Sequence, residues 1–119
     1  MSPTDDNKFH ISLRVIFDDQ LYLGPGRADL LELIASTGSI AAASQKMGMS
    51  YKRAWEIVRA LNTGFGSALV SSSRGGKTKG GAVLTNHGQM VLASYRSMQE
   101  KAAAAIKENV ATVRAALNR

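Results

Sequence analysis

With 119 residues, of which 45% are apolar and 20% charged, the chain has the size and composition of one small folded domain and not of a disordered segment. It contains no cysteine, and no apolar run approaches the roughly 18 residues that cross a membrane, so we exclude disulfides, thiolate zinc sites and membrane spans and expect a cytoplasmic protein. The net charge is +6, and residues 46–80 carry the same net charge, with seven basic side chains against Glu56. Such segregation is typical of a surface that binds polyanions, although a solvated basic face explains it equally well.

The N-terminal part predicts a flexible start followed by a short hairpin. We expect residues 1–8 to be flexible and residues 9–17 to form a strand, because apolar and polar side chains alternate there as they do when one face is buried. Two aspartates at positions 18 and 19 are typical turn residues, and residues 21–23 repeat the alternation briefly.

Two helices with clear start and stop signals are predicted next. The first spans about residues 27–37 and ends at Gly38. The second spans residues 40–47, with Ser39 as its N-cap and Gly48 as its stop.

A third helix follows almost at once, with Ser50 as its predicted N-cap. Two helices joined by so tight a turn are typical of a helix-turn-helix, whose recognition helix we expect at about residues 50–65. A single tryptophan at the apolar edge of such a helix is more often a core residue than a platform for a ligand. We therefore expect Trp55 to be buried.

A basic hairpin and a long helix complete the chain. Residues 71–81 read SSSRGGKTKGG between two short apolar runs and predict a β-hairpin with a flexible tip, the wing, although a disordered loop with incidental charge would look similar. Thr85 can cap a final helix, and residues 89–119 contain neither Gly nor Pro, so we expect one unbroken helix over residues 85–119. The alternative is a break near residues 102–105 that lets the helix fold back, but four alanines there favour continuity.

This final helix is too long for its own domain to cover. Over residues 85–117 it would extend about 50 Å at a rise of about 1.5 Å per residue, and its apolar side chains recur at helical spacing. Uncovered apolar side chains in such a row favour a homodimer over a monomer. The residues that we expect in the dimer interface are Tyr95, Met98, Ile106, Val110, Val113 and Leu117.

These elements, in this order, predict a mainly helical α+β fold: a winged helix-turn-helix over residues 9–84, opening with a β-hairpin, and a dimerisation helix over residues 85–119. The start of a recognition helix can enter the major groove of DNA, where Arg or Lys reads guanine, while a basic wing suits the backbone or the minor groove. Glu56 either accepts a hydrogen bond from cytosine or, as we favour, orients Arg53. The residues expected to bind DNA are Ser39, Ser50, Tyr51, Lys52 and Arg53 on the helices and Arg74, Lys77 and Lys79 on the wing.

Four runs in this region are distinctive: TGSIAAA at residues 37–43, MGMSYKRAW at residues 47–55, LN at residues 61–62, and, after the glycine-rich basic wing, GAVLT at residues 81–85 with Gly88. Over about residues 11–98 they closely resemble the DNA-binding domain of ModE-type, molybdate-responsive transcriptional regulators, which is related to the LysR-type helix-turn-helix. The resemblance implies a bacterial-type regulator that binds a palindromic double-stranded DNA operator as a homodimer. Full-length regulators of this type also carry molybdate-binding domains, which this sequence lacks, so we expect a stand-alone form with no molybdate site.

Other functional classes find less support in the sequence. His10 and His87 lie far apart and no catalytic or metal-binding motif is present, so we expect no enzyme, no catalytic residues, no cofactor and no metal. RNA binding would require exposed aromatic side chains on a sheet, for which Tyr22 is the one candidate, and no membrane partner is expected. The alternative function is a protein-interaction module that pairs through its C-terminal helix with a separate effector-sensing protein. That alternative gives no reason for the basic charge to concentrate on the third helix and the wing.

Overall fold

The computed structural model describes residues 8–73 and 81–117, which form five helices and two small β-hairpins. In chain order the elements are β1 (Val15–Ile16), β2 (Tyr22–Leu23), α1 (Pro25–Thr37), α2 (Ile40–Met47), α3 (Tyr51–Gly64), β3 (Val70–Ser72), β4 (Ala82–Leu84), α4 (Asn86–Ala105) and α5 (Lys107–Ala115). This order confirms the predicted mainly helical α+β fold of a winged helix-turn-helix. Apart from Lys8, the segment expected to be flexible at the N-terminus lies outside the described residues.

The N-terminal hairpin is shorter than predicted. β1 and β2 form an antiparallel pair of two residues each, with Val15 opposite Leu23. The alternation of half-buried and exposed side chains does continue back to Phe9, as the period of two predicts. The strand expected over residues 9–17 is nevertheless reduced to β1, because the chain turns from β2 into α1 at Pro25 and leaves the rest of the segment without a partner strand.

Local signals fix the boundaries of the first two helices. α1 starts two residues earlier than predicted, because proline fits the first helical position, where no N–H partner is required. It ends at Gly38, whose φ of 75° lies in the left-handed region and whose N–H donates to the carbonyl of Ile34 at 2.8 Å. Gly48 ends α2 in the same way with a φ of 70°, and both stops agree with the prediction.

One hydrophobic core joins these elements. Side chains from the N-terminal hairpin, α1, α2, α3, the wing strands and the first half of α4 meet in it. The largest of them that are fully enclosed are Tyr95, Leu30, Leu31, Ile34, Leu61, Leu69 and Val58. Met47 and Met49 pack against this core at the corner between α2 and α3. The core therefore holds the two helices of the helix-turn-helix in a fixed relation.

Tyr95 belongs to this core and not to an exposed helix face. Its side chain is fully buried, and its hydroxyl donates to the carbonyl of Leu13 at 2.6 Å. Burial raises the pKa of this hydroxyl, the guanidinium of Arg96 partly opposes the shift, and the carboxylate of Asp29 adds to it. Since its own chain encloses Tyr95, we leave it out of the dimer interface in which the sequence placed it.

Tyr22 is covered by two guanidinium groups. The guanidinium carbon Cζ of Arg14 lies 3.8 Å from the centroid of the Tyr22 ring, and that of Arg27 lies 3.7 Å from it. Arg27 is itself buried and donates to the carbonyl of Tyr22 at 3.3 Å. Because two guanidinium groups at this distance occupy opposite faces of one ring, Tyr22 offers no free face on which an RNA base could stack.

The predicted final helix is divided at Ile106, whose φ of −103° and ψ of 7° separate α4 from α5. The hydrogen-bond ladder still passes through this residue, since its N–H donates to Ala102 at 3.2 Å and its carbonyl accepts from Val110 at 2.9 Å. A β-branched residue after four alanines, in a stretch without buried side chains, is a weak point in a helix. The break is thus a local distortion that no Gly or Pro announces in the sequence.

The C-terminal helices extend beyond the core. The radius of gyration is 17.6 Å, whereas a compact chain of this length has about 13.5 Å, and the longest dimension is 58 Å. None of the residues of α5 is buried. Large apolar side chains are exposed along this extension, namely Met98, Ile106, Val113 and Leu117. Across residues 8–73 and 81–117, no helix combines the length and the hydropathy needed to cross a membrane.

Candidate nucleic-acid interface

The helix-turn-helix is built on two serine caps. The hydroxyl oxygen of Ser39 accepts the N–H of Ala42 at 3.0 Å at the start of α2, and that of Ser50 accepts the N–H of Arg53 at 3.0 Å at the start of α3. Both caps agree with the prediction. Because capping uses an oxygen lone pair, it leaves the hydroxyl hydrogen available to a phosphate oxygen. The N-termini of α2 and α3 therefore each combine the positive end of the helix dipole with a serine hydroxyl.

The exposed face of α3 is basic. Ala54, Ile57, Val58 and Leu61 are buried, and the side chains that point away from them include Lys52, Arg53, Glu56 and Arg59. Lys52 and Arg59 are seven residues apart, which is about two helical turns, so they lie on one side. Together with Trp55 and Glu56 they line a shallow cavity of about 300 Å³. α3 thus exposes three basic side chains and one acidic one, and two of the basic ones, Lys52 and Arg59, line the concave part of this surface.

Trp55 lies at the edge of this surface, and the prediction that it belongs to the core is wrong. Its side chain is 36% exposed, and its indole N–H donates to the hydroxyl of Tyr51, one turn earlier. The two rings meet edge to face, with centroids 6.3 Å apart and planes at 81°. Tyr51 is 51% exposed, so the first turns of α3 carry an aromatic pair that faces outward.

The wing is anchored to the recognition helix by one side chain. Asn62, in the last turns of α3, accepts the N–H of Leu69 at 2.8 Å and of Val70 at 3.1 Å, and its amide donates to the carbonyl of Val70 at 3.0 Å. At the other strand, the N–H of Ala82 donates to the carbonyl of Gly38 in the turn before α2 at 2.9 Å. The base of the wing is therefore bonded to α3 and to the turn between α1 and α2, which sets the direction in which the hairpin leaves the domain.

The wing strands pair as predicted near the base of the hairpin. β3 and β4 are antiparallel, with Val70 opposite Leu84, and the N–H of Ser73 donates to the carbonyl of Gly81 at 2.9 Å. The basic wing residues expected to bind DNA, Arg74, Lys77 and Lys79, lie outside the described residues.

Thr85 connects the wing to α4. As predicted, its hydroxyl oxygen caps α4 by accepting the N–H of Gly88 at 2.9 Å. The same hydroxyl donates to the carbonyl of Ala68 at 2.7 Å, and the N–H of Thr85 donates to the carbonyl of Leu69 at 3.0 Å. Gly88 lies so close to Leu69, the residue before β3, that a Cβ on Gly88 would be 2.1 Å from the Leu69 carbonyl oxygen.

Three residues of this surface, Arg59, Trp55 and Asn62, are not among the residues predicted to form it. Arg59 could have been found, because it lies about two turns after Lys52 and so shares its side of the helix. Trp55 gave an ambiguous signal, because an aromatic at the border of an apolar stripe fits either side. Asn62 belongs to the runs that carry the family resemblance, but its role was not predicted, since its three bonds reach residues that the local pattern does not place beside it.

A comparison with protein families finds a match over more than half of the chain. Residues 27–89 match the family model described as bacterial regulatory helix-turn-helix protein, lysR family. The matched segment contains α1 apart from its first two residues, α2, α3, the wing strands and the start of α4.

Individual relatives align over a similar region. The chain is 43% identical over 77 residues to the molybdenum-pterin-binding protein MopB of Rhodobacter capsulatus. The aligned region is 65% of this chain and 28% of that protein. It is 38% identical over 95 residues to the DNA-binding transcriptional dual regulator ModE of Escherichia coli (strain K12). That aligned region is 77% of this chain and 36% of that regulator. The chain therefore spans about a third of the length of these relatives. The resemblance predicted from the sequence runs is confirmed.

Proposed function

Because this chain belongs to the bacterial regulatory helix-turn-helix family of the LysR type, we propose that it is a transcriptional regulator that binds double-stranded DNA in a sequence-specific manner as a homodimer. The relatives named ModE are described as transcriptional regulators, so the proposed activity is binding and not catalysis. No molybdate site is proposed in this chain.

The observation that carries the proposal is the basic, solvent-facing recognition helix held on a rigid motif. α3 starts at a capped N-terminus and exposes Lys52, Arg53 and Arg59 opposite its buried side. A helix of this kind fits the major groove, where guanidinium and ammonium groups reach the acceptor atoms of guanine. Ser39 and Ser50, at the two helix starts, bind phosphate oxygens and so fix the register of the helix on the duplex.

The wing supplies the second contact with DNA. Asn62 bonds the base of the wing to α3, so the two elements are presented to the duplex as one unit. The tip of the wing carries Arg74, Lys77 and Lys79 in a glycine-rich sequence, which suits contacts to phosphates or to the minor groove.

Selection of bound fragments from a random double-stranded DNA library tests the function directly. We expect an enriched inverted repeat, because two identical recognition helices related by a two-fold axis read the same sequence on opposite strands. The centres of the half-sites should lie about 10 base pairs, or a multiple of that, apart. Recovery of no common sequence, with binding that depends on salt alone, would contradict sequence-specific regulation.

The proposed homodimer forms through the C-terminal helices. Met98, Ile106, Val113 and Leu117 are between 37% and 62% exposed along α4 and α5, and Val110 between them is half-buried. Such a row of apolar side chains on an extension of the fold is covered when two copies pair. This placement also separates the pairing helices from the DNA-binding surface on α3.

We expect Val113→Glu to convert the dimer to monomers. Val113 is 62% exposed in α5, and burying an unpaired carboxylate in an apolar interface should weaken association at least about tenfold. Sedimentation equilibrium measures the change. Met90→Glu is the matched control, because Met90 is 53% exposed at the start of α4 and outside the proposed interface.

Two outcomes would contradict this interface. A dimer that Val113→Glu leaves intact would place the contact elsewhere. A chain that is monomeric without substitution, at all concentrations measured, would favour pairing with a separate protein through the same helices.

A further inference from the structure

The recognition helix carries two exposed aromatic rings that the fold does not require for its core. Tyr51 and Trp55 are 51% and 36% exposed, whereas the core positions of α3 are occupied by other side chains. Two aromatic side chains exposed side by side on one helix form a contiguous apolar patch, and such a patch is typical of a contact surface.

The geometry of the pair decides which kind of surface it offers. The indole N–H of Trp55 donates to the hydroxyl of Tyr51, so the polar atom of the tryptophan is used within the pair. The edge-to-face arrangement, with planes at 81°, fixes both rings relative to each other. What remains exposed on Trp55 is hydrocarbon, because its one hydrogen-bond donor is already used within the pair.

This edge lies beside polar groups that suit DNA. Trp55 shares the cavity of about 300 Å³ with Lys52, Glu56 and Arg59, so it forms an apolar wall next to basic side chains. In the major groove of DNA, the apolar group on the edge of a base pair is the C5-methyl of thymine. A carbon surface fixed at the start of a recognition helix is complementary to that methyl group.

We propose that Trp55, held by Tyr51, is a specificity-determining residue that reads a thymine methyl group in each half-site. This inference rests on the proposed function, since it requires α3 to enter the major groove. Neither the charge pattern nor the family match assigns this pair a role in base recognition.

The test uses the full chain and the sequence enriched by selection. Each thymine of a half-site is replaced in turn by uracil, which lacks only the methyl group, and the symmetry-related thymine is replaced with it. At one position we expect about fourfold weaker binding per methyl, or about 15-fold for both half-sites, as ~0.8 kcal/mol for one buried carbon predicts. Trp55→Ala should weaken binding to the thymine operator and lose this sensitivity to uracil.

Two further variants make the result interpretable. Trp55→Phe keeps an aromatic ring, and we expect it to retain part of the methyl sensitivity even if the alanine variant is less stable. Phe17→Ala removes a 52% exposed aromatic side chain on the N-terminal hairpin and should leave the uracil effect at its full size.

The outcomes separate the inference from the function on which it rests. If the unsubstituted chain binds its operator specifically but tolerates every thymine-to-uracil replacement, the inference is overturned and the function stands. The same holds if a folded Trp55→Ala keeps the full methyl sensitivity, or if it weakens operator and random DNA alike, which would indicate a backbone contact. If selection yields no operator at all, the proposed function itself fails.

Discussion

Gly88→Ala is expected to destabilise the protein by about 2 to 4 kcal/mol, which reaches from the upper part of the range typical of overpacked sites to above it. The added Cβ would lie 2.1 Å from the carbonyl oxygen of Leu69 and 2.9 Å from its carbonyl carbon. Neither atom belongs to a flexible side chain, so the backbone of the wing strand or of α4 must move. The same carbonyl accepts the N–H of Thr85 at 3.0 Å, and any movement weakens that bond as well.

Thermal unfolding followed by circular dichroism measures this effect, with a fall in Tm on the order of 10 °C. Gly26→Ala is the matched control, because a Cβ there meets nothing within 4 Å and the position lies in the first turn of α1. We expect Gly26→Ala to be neutral or to stabilise by up to ~1 kcal/mol, since alanine reduces the freedom of the unfolded chain. Equal Tm values for the two variants would contradict the close approach of α4 to the wing strand.

Features that depend on a few neighbouring residues were predictable from the sequence. The caps Ser39, Ser50 and Thr85 and the stops Gly38 and Gly48 all follow from groups within one helical turn. A capping residue accepts a hydrogen bond from a particular backbone N–H, and a glycine stop adopts a left-handed conformation at a particular position. The helix-turn-helix could therefore be placed nearly to the residue.

Features that depend on distant contacts were not predictable in the same way. Tyr95 and Met98 belong to one apolar stripe, yet Tyr95 is enclosed by its own chain through a bond to Leu13, and Met98 is exposed. Helical spacing predicts which residues share a face of the helix. It does not predict how far along the helix the rest of the domain covers that face. A break near residues 102–105 was the alternative, and the favoured prediction of an unbroken helix is wrong for a related reason, since the break at Ile106 depends on the absence of packing around a sequence that favours a helix.

The anchoring of the wing has a consequence for recognition. Asn62 binds the backbone of Leu69 and Val70 with both ends of its amide, so a change in the position of α3 moves the base of the wing with it. The two elements proposed to bind DNA are thus coupled through Asn62, but the groups that they present differ. α3 presents basic side chains from a rigid helix, whereas the basic residues of the wing tip stand among glycines.

From this difference we expect Arg53→Ala to weaken binding to the selected operator by about 1 to 3 kcal/mol, or roughly 5- to 160-fold, with little effect on random DNA. A guanidinium that reads a base edge contributes to one sequence, while a phosphate contact contributes to all. The substitution leaves the cap intact, because Ser50 accepts the backbone N–H of Arg53, and alanine favours a helix. Fluorescence anisotropy with both DNAs over a range of salt concentrations measures the effect.

The wing variant Lys77→Ala with Lys79→Ala should behave in the opposite way. Loss of two phosphate contacts weakens operator and random DNA alike and lowers the slope of log affinity against log salt by about 2. Lys101→Ala is the control, since this exposed lysine on α4 lies outside both elements and should change neither affinity. If Arg53→Ala instead weakens both DNAs equally, Arg53 contacts the backbone, and the sequence must be read from the wing or from another part of the surface.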